Sequence, residues 1–147
     1  MLWTVILGFL GLLLFRFFIS YSKDNDDLQD QPLDKKFNII INMINDVAFH
    51  GNGSVTTLSK REFNLYQDGE NQLIKFQYST GILTITWKYK YFQKEIVHER
   101  QFSDARNLSL FEQQKVAQQM IKEMNNVVAI HKASVLGGSF GDNIDYI

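Results

Sequence analysis

Leu83-Thr84-Ile85-Thr86-Trp87-Lys88-Tyr89-Lys90-Tyr91 alternates large apolar side chains with polar ones along its whole length. Successive side chains of a β-strand point to opposite faces, so the pattern predicts a strand with Leu83, Ile85, Trp87, Tyr89 and Tyr91 on a buried face. Thr84, Thr86, Lys88 and Lys90 then occupy a solvated face, the arrangement of an antiparallel sheet with one wet side. Shorter runs surround this strand. Phe63 and Leu65 alternate in one, Ile74, Phe76 and Tyr78 in the next, and Ile96 to Phe102 returns after a turn near Gln93-Lys94. Gln67-Asp68-Gly69-Glu70-Asn71 and Ser79-Thr80-Gly81 are the turn signals between them. Residues 54–102 therefore predict a meander of three to five strands.

The pattern on either side changes to helical spacing. Upstream, Phe37, Ile40, Ile41, Ile44, Val47 and Ala48 form one stripe of a helix through Phe49, with Asp34 as its cap and Gly51 beyond its end. Downstream, Ser109 and Glu112 have capping-box spacing and open a long helix whose stripe includes Ala117, Met120, Ile121, Met124, Val127, Val128 and His131. Two amphipathic helices and a sheet with one apolar face bury one another, which gives an α+β fold. Gly137 and Gly138 are read as the end of the domain, leaving 137–147 as a flexible tail. Phe140, Ile144, Tyr146 and Ile147 stand in that tail among Asp142 and Asp145, a mixture suited to a short docking peptide or a frayed terminus.

Leu2 to Tyr21 is apolar except for Arg16 and Ser20, and twenty helical residues reach about 30 Å, the thickness of a hydrocarbon core. Trp3 and Tyr21 bracket the run at the two expected interfaces. Residues 1–22 are thus expected to be a transmembrane anchor in contact with lipid. Arg16 lies close enough to the polar end to extend its guanidinium to the headgroups. Gly8 and Gly11 are three apart and miss the GxxxG dimer spacing. Ser20-Tyr21-Ser22 loosely imitates a signal cleavage site, but no base precedes the apolar run, which favours an uncleaved anchor. Arg16, Lys23, Lys35 and Lys36 follow or flank the C-terminal side of the span and predict a cytoplasmic domain under the positive-inside rule. Residues 23–34, rich in aspartate and holding the only proline, read as an extended, self-repelling tether to the domain at 35–136.

Charge and composition narrow the chemistry. Residues 35–136 hold thirteen Lys and Arg against nine Asp and Glu, a scattered surplus that does not form the concentrated basic stripe of a nucleic-acid binder. The absence of cysteine removes disulfides, thiolate metal sites and cysteine nucleophiles. His98-Glu99 begins like a zinc-protease motif, but Phe102 stands where the second histidine is needed, and His50 and His131 share no ligand spacing with it. Gly51-Asn52-Gly53 follows a helix and lacks the third glycine of a dinucleotide fingerprint, so it reads as a turn. Glu95 and Glu99 share one strand face near the rim and read as solvated charge. No catalytic residues, cofactor site or metal site can be assembled from the sequence.

Two functional readings follow, ahead of a third and less favoured one, an enzyme whose catalytic residues converge from distant parts of the chain. The first is a single-pass, membrane-anchored interaction or scaffolding protein, an accessory component of a membrane-associated assembly with a protein partner. The second is a tethered module binding a small apolar ligand in a pocket lined by Phe76, Trp87, Tyr89 and Met124, or an anionic lipid through Lys88 and Lys90.

Overall fold

The computed structural model describes residues 2–141; Ile144, Tyr146 and Ile147 of the tail lie outside the described residues, as does the Phe140 side chain. The architecture is mixed α+β. Helix α1 (Leu2–Asp30) is followed by the short α2 (Leu33–Lys36) and by α3 (Asn38–Phe49). Five strands come next, β1 (Ser54–Ser59), β2 (Glu62–Tyr66), β3 (Gln72–Ser79), β4 (Ile82–Tyr91) and β5 (Lys94–Phe102). A 3-10 turn at Ala105–Asn107 leads into α4 (Leu110–Gly141). The strands pair in chain order as one antiparallel sheet, so every connection is a hairpin.

The buried face of the sheet is the one that alternation predicts. Phe63, Leu65, Ile74, Phe76, Tyr78, Leu83, Ile85 and Trp87 all face the helices and are buried. From the helical layer, α3 contributes Ile40, Ile41, Ile44, Ala48 and Phe49, and α4 contributes Val116, Ala117, Met120 and Met124. On the opposite face Lys88 and Lys90 stay accessible, whereas Thr86 is buried and donates to Glu99 on β5 at 2.9 Å. Thr86 is covered because it sits between Lys75 on β3 and Glu99 on β5 in the middle of the sheet.

Three local expectations are corrected. Residues 23–30 are helical and continue α1 without a break, in place of an extended tether, because the domain supplies cationic and amide partners to their aspartates. The expected helix from Asp34 to Phe49 is two helices, and Asp34 lies inside α2 instead of capping it. The break is at Phe37, which leaves helical geometry (φ -108, ψ 27) as its fully buried ring packs on Tyr78 at 5.7 Å between centroids. At the other end, α4 runs through Gly137 and Gly138 to Gly141. Nothing lies within 4 Å of a Cβ built at Gly137, so no packing demand stops the helix there, and a helical glycine costs only about 1 kcal/mol.

The capping box at the start of α4 forms as expected. Glu112 Oε2 accepts from the Ser109 amide at 2.8 Å and from its hydroxyl at 2.7 Å, while the Glu112 amide donates back to Ser109 Oγ at 3.3 Å. Helix α3 ends with His50 in the left-handed region (φ 52), followed by Gly51, also left-handed (φ 80).

Candidate functional site

Helix α1 is long and apolar enough to cross a membrane, and Trp3 through Phe18 stand exposed, touching little of the remaining protein. Its last third behaves differently. Ser20, Asp24, Asp27 and Leu28 recur at helical spacing and turn one face toward the domain. On that face a cluster of ionic and hydrogen-bonding groups joins the long helix to one end of the sheet.

Asp24 is its centre and is fully buried. One carboxylate oxygen, Oδ1, accepts from the Gly81 amide at 3.1 Å and pairs with Arg106 Nη2 at 2.5 Å. The other, Oδ2, accepts from the Thr80 amide and lies 3.4 Å from Arg61 Nη1. Thr80 and Gly81 form the tight turn between β3 and β4, both with positive φ (53 and 76). That conformation is unfavourable for a β-branched residue, and here it aims two successive amides at one anion. The Thr80 hydroxyl donates to Ser79 O at 2.8 Å.

The two arginines extend the grip toward the apolar part of α1. Arg61, at the β1–β2 turn, donates to Tyr21 O at 3.1 Å and Asn25 Oδ1 at 2.8 Å, with its guanidinium 3.9 Å from the Tyr21 ring centroid. Arg106 donates to Ser20 O and Oγ at 3.3 and 3.4 Å. One turn further along, Asp27 accepts from the Tyr78 hydroxyl at 3.3 Å and pairs with Lys36 at 2.7 Å. Burial, reinforced by the Asp24 and Asp27 carboxylates and opposed by Arg106, pushes the Tyr78 phenol up to about 12, so it remains a donor at physiological pH. Burial works against the Arg106 charge, but hydrogen bonds to Tyr78 and Asp24 and the Asp24 charge outweigh it and raise the Arg106 pKa.

This arrangement holds; it presents no nucleophile beside a base. Its carboxylates face cations and amides, and most of its guanidinium donors are turned to α1, while the buried Arg106 Nε has no hydrogen-bond partner among the described residues. Among the described residues no group of three or more His, Asp or Glu side chains comes together to hold a metal ion.

The residues singled out from sequence fall elsewhere. Phe76, Trp87 and Met124 are packed in the core, with Tyr89 partly buried at its margin. Trp87 Nε1 donates to Gln72 Oε1 at 3.0 Å, and Gln72 Nε2 donates to Ala48 O at 2.6 Å, tying the sheet to the end of α3. Lys88 and Lys90 border a shallow depression whose lining also includes Asp68, Glu70 and Glu95. Lys90 also stands eight residues along β4 from Ile82, roughly 26 Å from the end of the sheet that α1 grips. His98 Nε2 lies 3.0 Å from Glu123 on α4, His131 reaches Lys94 O at 3.3 Å, and His50 caps α3, so the three histidines remain apart.

Asp24, Arg61 and Arg106 were not prominent in the sequence. The available signal was the spacing Ser20, Asp24, Asp27, Leu28, which keeps one helical face going past the end of the apolar run. Comparison of the chain with protein-family models, with curated proteins and with solved structures finds no match to any of them.

Proposed function

We propose that this chain is a single-pass membrane protein whose domain serves as an interaction or scaffolding component of a membrane-associated assembly. The observation that carries the reading is the burial of Asp24 where the exposed apolar helix becomes part of the domain. A loose tether would hold a domain near a bilayer at any angle. A helix clamped by Arg61, Arg106 and two turn amides presents the sheet at one angle and one height, which suits a component that must offer a surface to a neighbour in the same membrane. The bases Arg16, Lys23, Lys35 and Lys36 favour a cytoplasmic domain.

Three measurements on the full chain test this. Alkaline washing of membranes should leave it in the pellet with an intact mass beginning at the N-terminus; release, or a mature chain beginning near Lys23, overturns the anchor. A reporter fused after Ile147 should be protected inside; an external reporter overturns the orientation. Purification in mild detergent should retain a stoichiometric protein, either a different chain or another copy, and recovery as a lone monomer overturns the assembly role.

A further inference from the structure

The fold invests in β1 and obtains no core from it. All six residues of Ser54–Ser59 are exposed, Val55 at 39% and Leu58 at 53%. Ordering a backbone costs about 1–2 kcal/mol per residue, and here only the pairing with β2 offsets it. β1 is also a terminal strand of the sheet, so among the described residues one of its edges has no strand beside it.

The two edges of this sheet are treated differently. β5 carries Lys94, Glu95, His98, Glu99 and Arg100, and α4 covers it through Glu123, which meets His98 at 3.0 Å and Arg100 at 3.1 Å. Charge and cover are the devices by which sheets avoid unwanted pairing. β1 has neither. Ser-Val-Thr-Thr-Leu-Ser holds no charge and no proline, its composition suits a strand, and its bulge lies only at the far end between Thr57 and Ser59. Beside it opens a cleft of about 390 Å³, with Leu28, Leu33 and Asp34 on the helical side and Thr57, Lys60 and Phe63 on the hairpin side.

We propose that the β1 edge pairs antiparallel with the β1 edge of a second copy of this chain, joining the two sheets into one. An antiparallel self-pairing draws both strands from the same neutral residues, so no like charges meet along it. A six-residue strand buries far less than the roughly 1,200–2,000 Å² of a stable interface, so the pairing needs help from concentration. This part rests on the anchor reading: two copies held in one membrane share a plane and an orientation, which supplies a high effective concentration. Arg61 fixes the β1–β2 turn to Tyr21 and Asn25 of α1, so both copies carry the edge at the same height above their apolar helices. The α1 helices themselves lack GxxxG spacing at Gly8 and Gly11, leaving the sheet edge as the better contact.

The chain has no cysteine, so single-cysteine variants give a clean test. Cysteine is placed in turn at each residue from Ser54 to Ser59 of the full chain, in lipid vesicles, and disulfide-linked dimer is measured after mild oxidation. The exposed positions leave the fold intact, checked by thermal unfolding of each variant. Dimer yield should peak at one or two positions in β1, fall away on both sides, and exceed by several-fold the yield from V97C, an exposed side chain on the charged β5 strand. Adding T56P should abolish the peak. Yields no higher than V97C overturn the proposal, as does a maximum at G8C or G11C with β1 at background. A β1 crosslink to a different protein in native membranes, in place of the homodimer, overturns it too. Vesicle flotation separates this outcome from failure of the anchor reading. If the chain does not float, the same variants are oxidised in solution at raised concentration, where a β1 peak sustains the pairing and its absence defeats it.

Discussion

Asp24 and Arg106, 82 positions apart in sequence, form an ion pair in which the carboxylate is fully buried and the guanidinium also reaches Ser20. The pair joins the last third of α1 to the segment after β5, and so ties the beginning of the chain to the end of the sheet. Removing one member leaves the other charge without its partner in a desolvated place, which costs far more than the intact pair contributes.

Asp24→Ala should therefore destabilise the domain by about 3–5 kcal/mol. Asp24→Asn should not rescue it, because one of its terminal groups becomes a donor facing other donors. Asp26→Ala, on the exposed side of the same turn, should change stability by less than about 0.5 kcal/mol. Chemical unfolding of the full chain in detergent, followed by near-ultraviolet circular dichroism, checks all three. Equal midpoints for the Asp24 and Asp26 variants would show that the cluster does not couple helix to sheet.

Trp87 fills the sheet side of the core and ends a hydrogen-bonded path through Gln72 to Ala48. Trp87→Ala should cost about 3–5 kcal/mol through the cavity it leaves. Trp87→Phe keeps much of the volume but removes the donor to the half-buried Gln72 oxygen, with an expected cost of about 0.5–1.5 kcal/mol. Melting temperatures of both variants should fall in that order. An unchanged value for Trp87→Ala would mean that its side chain is not part of the core.

The sheet and α4 were legible because their signals are local: alternation in 83–91 and a capping box at Ser109 and Glu112. The junction was not, because its partners are far apart in the chain and each looks like ordinary surface charge. Five aspartates between Asp24 and Asp34 repel one another when read alone, yet in the fold Asp24 and Asp27 face Arg61, Arg106, Lys36 and Tyr78. Leu28 and Leu33 likewise belong to the core, so a boundary drawn at residue 34 removes part of it. The readings at Lys88 and Lys90 came from alternation, which identifies their face but not the acidic neighbours contributed by the β2–β3 turn.

Gly53 is a position where only glycine fits. A Cβ there would lie 2.4 Å from Asn45 Oδ1 and 2.7 Å from Phe49 Cδ2, both on α3. The same Asn45 oxygen accepts from the Gly53 amide at 2.8 Å, so the chain turns into β1 pressed against the helix. Gly53→Ala should cost about 1–3 kcal/mol as an overpacking change. Gly69→Ala has open space around its Cβ and should show only the strain of its positive φ, a loss on the order of 1 kcal/mol. Denaturant midpoints give the comparison, and a Gly53→Ala loss no greater than that of Gly69→Ala would remove the steric argument.

Acid should loosen α4 at both its start and its middle. Glu112 is held below its ordinary value of 4.5 by hydrogen bonds from the Ser109 backbone and hydroxyl. Glu123 is held below 4.5 by Gln119 first, then by His98 and Arg100. A carboxyl whose pKa is lower folded than unfolded contributes stability that is fully present above the unfolded value and is lost as pH falls through the folded one. The domain should thus keep this contribution above about pH 5 and lose it progressively below about 4.5. Glu123→Gln should flatten the pH dependence of the melting temperature in that range while lowering stability at neutral pH, because the ion pair to Arg100 is gone. Thermal unfolding from pH 3 to 7 checks the sign: an undiminished slope in Glu123→Gln would place the acid sensitivity in other carboxylates.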